Sequence, residues 1–332
     1  DVGSLESAAE NVIVCHRTER DKPTTPKTQT AFQNSVLLAR NFIMQDYVTV
    51  SADLARENDL RLLVRMAIAE DLADAVDWTS VCLLDDERTG GCQIVPRETG
   101  VCAGISLLPW IVDEFDADLS VECLESDGDA LFPGAPIAKL RGNARDLLAS
   151  ERTILNILSR LCGVASQVKG YVDTIADSRA RIYDTRKTTP GWRLLEKYAV
   201  ACGSGHNHRR GLYDGFLIKD IHLQLGGTAA EPMLPSGAAE KALAWRGAQV
   251  YRMTAPAIVE IEVDSLDQLR DVLPTGPDIV LIDNFSLQDI RAAVAIRDRE
   301  NPSVELEVSG NVKIDTIAAL AATGVERISS GA

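Results

Sequence analysis

The second half of the chain alternates short β-rich runs with helix-length segments. The runs are ARIYDT, GFLIKD, AIVEIEVD, DIVLIDN, VELEVSG and VERISSG, and the segments between them include SLDQLRDVL, SLQDIRAAVAIRDRE and KIDTIAALAATG. Strands that alternate with helices at this spacing form parallel βαβ units, and several units in succession build a barrel or a doubly wound sheet. The pattern therefore predicts a parallel α/β domain in this half of the chain.

Polar residues stand at or just after the end of each β-rich run. They are Asp184, Lys219, Glu262, Asp283, Ser309 and Ser330. In an α/β barrel, such positions converge on the mouth formed by the carboxyl ends of the strands, which is where these folds place their sites. We therefore expect a barrel, with its functional site at this mouth.

The run IVEIEVD shows a two-residue alternation of apolar and acidic residues. Ile261 and Val263 point to one face of the strand, and Glu260, Glu262 and Asp264 point to the other. A strand with one solvated face is the alternative, but it is less common in a parallel sheet covered by helices. The alternation favours a functional role for Glu262.

The first half predicts a smaller α+β domain that leads into long helices. Residues 1–45 are polar and contain RTERDKPTTPKTQT, which indicates a loosely packed extension. Glycine and proline separate short alternating runs such as CQIVPRETGVCAGI and PIAKLRG, which we interpret as strands. Apolar residues at helical spacing predict one helix with Leu60, Leu63, Val64 and Ala67 on its buried face, and a later one with Leu148, Ile154, Leu155, Leu158 and Leu161.

Charge is distributed unevenly along the chain. The formal net charge is −15, which argues against nucleic acid as a partner, because phosphate-backbone binding needs a broad basic surface. Within residues 183–223, however, seven Lys/Arg stand against four Asp/Glu, together with three of the four histidines. A small anionic ligand fits this basic island better.

The cysteines and the apolar runs bear on the compartment. Seven cysteines without a C-x-x-C pair favour a reducing compartment over a disulfide framework or a structural zinc site. No apolar run approaches the ~18 residues of a membrane span, and the N-terminus lacks the order of a signal peptide. We expect a cytoplasmic protein that does not contact a membrane.

The basic island supplies two strand ends and a glycine-rich loop, CGSGHNHRRG. Its cationic set at the predicted mouth is Arg186, Lys187, His208, Arg209 and Lys219. Arginine grips a carboxylate or phosphate with two hydrogen bonds, and lysine acts as a point charge. Surface ion pairs are the alternative, but they account less well for five cations at successive strand ends.

Two weaker motifs remain ambiguous by themselves. GHNH invites a metal interpretation, although the flanking Arg209 and Arg210 would repel a cation, so anion contact is favoured. The turns SGN (309–311) and SSGA (329–332) can present backbone N–H groups to a phosphate, but a plain turn is the better explanation of each one alone. At the ends of the last two barrel strands, they match the usual phosphate location of such folds.

Several motifs resemble the quinolinate phosphoribosyltransferase family. They are ERTILNILSRLCGVAS, DTRKTTPG, NHRRGLYDGFLIKD, IEVDSL, LIDNFSL and VSGN, in order from about residue 60 to the end. The resemblance implies an α/β fold of the type II phosphoribosyltransferases, with an N-terminal α/β sandwich domain (46–161) and an open seven-stranded α/β barrel (162–332). It also implies a Mg²⁺-assisted reaction of quinolinate with phosphoribosyl pyrophosphate, which gives nicotinate mononucleotide, pyrophosphate and CO₂.

The resemblance assigns expected roles to individual residues. The residues implied to hold the diacid are Arg152, Thr185, Arg186, His208, Arg209 and Lys219. The residues implied in catalysis are Lys187, Glu262 and Asp283, with Glu262 and Asp283 also approaching Mg²⁺ through water. The residues implied to bind the phosphoribosyl and phosphate groups are Lys187, Asp220, Ser309, Gly310, Asn311, Ser330, Gly331 and Ala332. The family further implies a homodimer or a larger oligomer, with Arg152 reaching the partner's site.

Departures from the family pattern leave alternatives open. VDWTS replaces GD-x-T, NHRRG replaces NHRMG, KDIH replaces KDNH, and residues 224–247 form a longer connection. A non-catalytic anion sensor is one alternative, but the Glu262 and Asp283 pair argues against it, because carboxylates repel a bound phosphate unless a cation is present. A phosphoribosyltransferase for a monocarboxylate such as nicotinate is another, and the surplus of cationic groups argues against it.

Overall fold

The protein is represented by a computed structural model that describes residues 14–17, 46–55, 59–228, 231–248, 257–310 and 312–331. Two main sheets organise these residues. One is a four-stranded antiparallel sheet in the first half of the chain, and the other is a six-stranded parallel sheet in the second half. The predicted fold class, an α/β fold with an N-terminal α/β domain followed by a parallel α/β domain, is confirmed.

The antiparallel sheet has the strand order β1-β2-β6-β4, and a two-stranded ribbon of β3 and β5 accompanies it. The elements of this half are β1 (Val14–Arg17), α1 (Ala52–Ala55), α2 (Arg61–Leu72), α3 (Trp78–Leu83), β2 (Thr89–Val95), β3 (Gly100–Val101), a 3₁₀ turn (Ile105–Leu107), α4 (Leu108–Glu114), β4 (Leu119–Cys123), β5 (Ala130–Leu131), β6 (Ala138–Asn143) and α5 (Ala144–Thr174).

The predicted N-terminal extension is described only at residues 14–17. These residues form β1, which pairs antiparallel with β2 at the edge of the sheet. This part of the extension is therefore a strand and not the loose polar segment that the composition suggested. The prediction for the remaining residues up to 45 lies outside the described residues.

Helix α5 links the two halves. It begins at Asn143, whose side chain accepts hydrogen bonds from the Arg145 and Asp146 amides, as an N-cap residue does. Its predicted apolar face is buried at Ile154, Leu155, Leu158 and Leu161, but Leu148 is 51% exposed, so the stripe does not extend over the first turns. The predicted domain boundary at 161/162 falls inside this continuous helix.

The parallel sheet has the strand order β7-β12-β11-β10-β9-β8. Its elements are β7 (Arg181–Tyr183), α6 (Arg193–Cys202), β8 (Phe216–Ile218), α7 (Asp220–Gly226), α8 (Pro235–Ala248), β9 (Val259–Val263), α9 (Leu266–Val272), a 3₁₀ turn (Leu273–Thr275), β10 (Ile279–Asp283), α10 (Leu287–Glu300), β11 (Glu305–Ser309), α11 (Ile317–Ala321) and β12 (Arg327–Ser329). All six β-rich runs of the sequence are strands.

The seventh position of the barrel is occupied by a single residue. His206 forms a parallel bridge with Tyr183 on the free side of β7, donating its amide to Ile182 O and accepting from the Asp184 amide. The described residues thus give six regular strands and one bridge. The opposite edge strand, β8, pairs with β9 alone, so the barrel is open between β8 and the bridge.

The two faces of the parallel sheet differ in polarity. Ile261 and Val263 of β9 belong to the apolar core between the sheet and its helices, as the alternation predicts. Glu260, on the other face of the same strand, is fully buried inside the barrel. The barrel interior is therefore charged, and its mouth continues this polar surface.

Candidate active site

The sequence-predicted polar residues stand at the carboxyl ends of the strands. Glu262 is the next-to-last residue of β9, and Asp283 and Ser309 are the last residues of β10 and β11. Asp184, Lys219 and Ser330 directly follow β7, β8 and β12. In the parallel register Asp283 is paired with Ser309, and Glu262 is paired with Leu281, two residues before Asp283. The strand ends therefore bring these residues to one edge of the sheet.

A buried ion pair fixes the loop that carries the basic island. Lys197 of α6 is fully buried and pairs with Asp184, and it also donates to the His208 carbonyl. Asp184 accepts two further hydrogen bonds, from Asn207 Nδ2 and the His208 amide, each at 2.8 Å. Burial raises the pKa of Asp184 and lowers the pKa of Lys197, and their pairing offsets part of both shifts. Asp184 is thus a loop anchor.

Both ring nitrogens of His208 contact other groups of the protein. Nδ1 accepts the Arg209 amide at 2.7 Å, and Nε2 lies 2.8 Å from Glu260 Oε2. Burial opposes protonation of the ring, whereas Glu260 and Glu307 favour it and raise the pKa of His208 above its ordinary value. Protonation would remove the Nδ1 acceptor. The predicted direct contact of His208 with the diacid would require the ring to give up one of these bonds.

Arg209 and Arg186 form the cationic centre of the site. Arg209 is 6% exposed, and its Nη1 donates to the Gly215 carbonyl at 3.1 Å. The Nε atoms of both arginines are buried and have no hydrogen-bond partner among the described residues. Burial lowers the pKa of Arg209, and the positive charge of Arg186 lowers it further. Two adjacent guanidinium groups with unused donors are matched to an anion.

A cavity of about 380 Å³ opens beside Arg209, along the open edge at β8. Its cationic lining residues are Arg209 and Lys241, its lining also includes His222, and its apolar lining includes Phe216 and Met233. A mainly apolar pocket with a few charged groups is typical of sites for small ring compounds that carry acids. The cavity thus places a mainly apolar wall beside Arg209, and Arg209 is the one predicted site residue that lines it among the described residues.

The extra charge of NHRRG is neutralised inside the protein. Arg210 Nη2 and Nε lie 2.6 and 3.1 Å from the two carboxylate oxygens of Asp214, which also accepts the Arg210 amide. The Arg210 side chain is 19% exposed and the Asp214 side chain is 10% exposed, so both are largely shielded from solvent. Arg210 therefore serves the loop, and its charge adds little to the mouth.

Lys219 and Glu262 form an ion pair across neighbouring strands at the mouth. The Lys219 side chain is 41% exposed and that of Glu262 is 16% exposed. Asp220 follows as the exposed first residue of α7, where its carboxylate accepts the Ile221 amide. The predicted catalytic carboxylate and the predicted ligand lysine are thus in direct contact.

The end of β10 is shaped by two residues in the left-handed backbone region. Asn284 has φ 57° and donates from Nδ2 to Asp283 Oδ2 at 2.7 Å, which orients the carboxylate. Gly310 has φ 95°, and a Cβ at this position would overlap Asn284 Oδ1. Glycine is therefore required for the turn after β11 to approach Asn284. Asn311 lies outside the described residues.

The loop after β7 meets the turn after β12. A Cβ at Gly331 would lie 3.2 Å from Lys187 Cδ and 3.2 Å from Thr185 Oγ1. Ser330 donates its amide to the Tyr183 carbonyl, and the Lys187 amide donates to Thr185 Oγ1. The structure thus brings together Lys187, Thr185 and the final turn, and Ala332 lies outside the described residues.

Arg152 is the predicted ligand that stands apart from these groups. It is an exposed residue of α5, in the part of the helix whose opposite face is buried in the N-terminal core. Among the described residues it has no hydrogen bond or ion pair that joins it to the barrel mouth. The expected contribution of Arg152 across a subunit interface stays a prediction.

A buried charge cluster inside the barrel was missed by the sequence analysis. Glu260, Glu307 and Arg327 are all fully buried, and Arg327 Nε donates to Glu307 Oε2 at 2.8 Å. With His208, the two glutamates have the spacing of a metal site, but the Arg327 guanidinium already supplies the positive charge there. The alternation in VEIEV and VELEV was the available signal, because it points Glu260 and Glu307 inward.

Tyr47 completes this cluster from the segment that precedes α1. Its ring stacks on the His208 ring with centroids 4.7 Å apart, and its hydroxyl donates to Glu260 Oε2 at 3.2 Å. Nothing in the sequence around DYVTV marks this tyrosine as part of the barrel, because the contact joins residues more than 150 positions apart. The sequence analysis could not find it.

Among the described residues, no helix is both long and apolar enough to cross a membrane.

Two family models match the chain. The model described as quinolinate phosphoribosyl transferase, N-terminal domain, matches residues 77–162, and the model of the C-terminal domain of the same family matches residues 164–332. The two matches meet inside α5, next to the predicted boundary.

Named relatives are similar to this protein over most of the chain. A Mycobacterium leprae protein named nicotinate-nucleotide pyrophosphorylase (carboxylating) is 37% identical over 272 residues, covering 81% of this chain and 90% of that protein. A Bacillus subtilis protein named as a probable enzyme of the same kind is 34% identical over 272 residues, covering 82% and 88%. A solved structure of nicotinate-nucleotide pyrophosphorylase from Francisella tularensis superposes with a TM-score of 0.73 at 36% identity, covering 86% of this chain and 94% of that one. The chain therefore belongs to the quinolinate phosphoribosyltransferase family.

Proposed function

We propose that this protein transfers the phosphoribosyl group of phosphoribosyl pyrophosphate to quinolinate, with loss of CO₂, and so makes nicotinate mononucleotide for NAD biosynthesis. The observation that carries the proposal is the meeting of cations and carboxylates at the barrel mouth, with Arg186 and Arg209 in the loops and Lys219 paired with Glu262 at the ends of neighbouring strands. Membership of the family supports the same reaction.

Quinolinate is a pyridine with two adjacent carboxylates, and the site offers matching donors. Arg209 is held from both sides by the protein, so its remaining donors are aimed without further loss of side-chain freedom. Arg186 supplies a second guanidinium. Thr185 lies in the loop after β7, and His208 lies in the loop between α6 and β8. The apolar lining of the adjacent cavity suits the pyridine ring.

The phosphoribosyl donor is assigned to the opposite part of the mouth. The exposed Lys187 and the half-buried Lys219 are placed to attract its phosphates as point charges. Departure of pyrophosphate leaves positive charge on the ribose ring, and the Glu262 and Asp283 carboxylates stabilise that charge. The turns at Ser309–Gly310 and Ser330–Gly331, with Asn311 and Ala332, are proposed to bind the 5′-phosphate, and Asp220 is proposed to contact the phosphoribosyl group.

The residues at the mouth fit a hydrated Mg²⁺. Glu262 and Asp283 offer the carboxylate oxygens that this cation prefers, and Lys219 now holds Glu262 by a single ion pair that a stronger cation can replace. When bound, the ion would neutralise charge on the pyrophosphate leaving group. The protein's own contribution is to orient Asp283 through Asn284 and to keep Glu262 close to the strand end.

Loss of CO₂ follows from the chemistry of the ring. Attack of the pyridine nitrogen on C1 of the ribose breaks the bond to pyrophosphate and leaves the nitrogen quaternary. The bond between the ring and the adjacent carboxylate then breaks, CO₂ leaves, and the electron pair stays on the ring carbon and is stabilised by the positive nitrogen until a proton from water replaces the carboxylate. This step requires mainly orientation and burial, which the arginine pair supplies.

A turnover assay tests the proposal. The protein is incubated with Mg²⁺, phosphoribosyl pyrophosphate and either quinolinate or nicotinate, and the release of pyrophosphate, CO₂ and mononucleotide is followed. We expect equal amounts of the three products with quinolinate. Turnover with nicotinate but not quinolinate would identify the monocarboxylate enzyme, and binding of the anions without turnover would identify a sensor.

The setting of this activity is also a proposal. We infer a cytoplasmic enzyme, because the thiols of Cys82, Cys102, Cys123, Cys162 and Cys202 form no disulfide among the described residues, as in a reducing compartment. We also infer a homodimer or a larger oligomer, because Arg152 is exposed and far along the chain from the mouth it is expected to serve. Size-exclusion chromatography with light scattering checks the oligomeric state.

A further inference from the structure

We propose that Tyr47 is a positioning residue for Arg209, so that the segment Asp46–Val50 sets the affinity of the site for its anionic acid. The proposal rests on the proposed function, which makes Arg209 a ligand of that acid. It concerns a residue that precedes the first helix and does not itself reach the mouth.

Tyr47 packs on both groups that hold Arg209. Its ring stacks on His208 at an interplanar angle of 26°, and His208 Nδ1 is the acceptor of the Arg209 amide. Its other edge abuts Gly215, where a Cβ would lie 2.8 Å from Tyr47 Cε1, and the Gly215 carbonyl is the acceptor of Arg209 Nη1. One ring therefore supports the main-chain and the side-chain anchor of the same arginine.

The tyrosine is itself held in place by the barrel interior. It is 7% exposed, and its hydroxyl donates to Glu260 Oε2, the same oxygen that faces His208 Nε2. Burial and the nearby Glu260 and Glu307 carboxylates raise the pKa of Tyr47, so the hydroxyl keeps its proton and remains a donor. Ring and hydroxyl thus fix His208 from two directions.

The segment around Tyr47 is anchored at both ends. The Asp46 carboxylate accepts hydrogen bonds from Arg181 Nη1 and the Tyr183 hydroxyl, both at 2.9 Å. The Val50 amide donates to Asn207 Oδ1 at 2.7 Å, directly beside His208. These anchors belong to β7 and to the loop of the site, so the segment cannot shift without moving the loop.

A comparison of Tyr47→Leu, Tyr47→Phe and Tyr171→Leu tests the proposal. Tyr171 is the matched control, since it is 8% exposed and packs in the outer core of the barrel. For Tyr47→Leu we expect the KM and the Kd for quinolinate to rise about 10-fold or more, with the KM for phosphoribosyl pyrophosphate changed less than about two-fold. Tyr47→Phe keeps the ring, so most of the affinity should return. Tyr171→Leu should lower the Tm without changing either KM.

A second variant keeps the test open if Tyr47→Leu does not fold. Gly215→Ala leaves every polar group in place but pushes a methyl group against the Tyr47 ring, so it should raise the quinolinate KM in the same selective way. A quinolinate KM unchanged in folded Tyr47→Leu, or raised equally in Tyr47→Phe, would overturn the proposal. Wild-type protein that neither turns over nor binds quinolinate in calorimetry would instead contradict the proposed function on which it rests.

Discussion

Arg209 is held by two protein hydrogen bonds and still keeps a buried nitrogen without a partner among the described residues. A buried cation in that state is costly unless a ligand supplies the missing charge. The strand ends and the motif NHRRG indicated this residue from the sequence, because its position follows from chain order. The interior groups that aim it were not predictable, since Tyr47 and Arg327 meet His208 and Glu307 only after folding.

We predict that Arg209→Ala weakens quinolinate binding by roughly 2–4 kcal/mol, the scale for removing one partner of a buried charge pair. Binding of phosphoribosyl pyrophosphate should change much less, because its proposed contacts are elsewhere on the mouth. Calorimetry with each substrate measures both effects. Arg270→Ala is the control, since Arg270 is an exposed residue of α9 that pairs with the exposed Asp267, and its loss should leave quinolinate affinity unchanged. Equal losses for both substrates would show that Arg209 does not hold the diacid.

We predict that Glu262→Gln lowers kcat by on the order of 100-fold, because the amide keeps the shape of the carboxylate but not the charge that stabilises the transition state. The Kd for quinolinate should stay within about two-fold of the wild-type value. Steady-state kinetics and calorimetry separate the two effects. Turnover at the wild-type rate would show that Glu262 has only a structural role, as the ion-pair partner of Lys219.

At the scale of elements, the alternation of β-rich runs and helical segments predicted the parallel strands well. It predicted the loop that carries the basic island only in part. All six β-rich runs are strands, because apolar alternation and glycine-rich ends are local signals. Leu148 was wrongly placed on a buried face, since a helical stripe does not reveal where the neighbouring sheet ends. The anchoring of the loop by α6 was missed, because Lys197 looks like an ordinary helix lysine in the sequence.

We predict that Lys197→Met destabilises the protein by roughly 3–5 kcal/mol, because Asp184 would be left as a buried charge without its cation. Urea denaturation measures the loss. In the double variant Lys197→Met/Asp184→Leu, part of the stability should return, but not all of it, since Asn207 and the His208 amide also lose their acceptor. A single variant as stable as the wild type would show that the pair does not hold the loop.

At the scale of the whole molecule, one chain gives a mouth with most of its proposed ligands and leaves Arg152 outside it. Arg152 is exposed on α5, which links the two halves, whereas every other proposed ligand that the structure describes is in the barrel. An exposed helix arginine needs no explanation by itself. Only the family resemblance implied that Arg152 serves the site of a partner subunit. The sequence could therefore suggest a shared site, but it could not show where that site lies.

The shared site has a consequence that a solvated arginine lacks. Arg152→Ala and Lys187→Ala dimers should each be nearly inactive, because every site in each dimer lacks one ligand. After subunit exchange, a mixed dimer should contain one site with both defects and one with neither. Activity should return to about a quarter of the wild-type value, since about half of randomly exchanged dimers are mixed and each has one intact site. Mass spectrometry confirms the exchange, and a mixture that remains inactive after confirmed exchange would mean that Arg152 acts within its own chain.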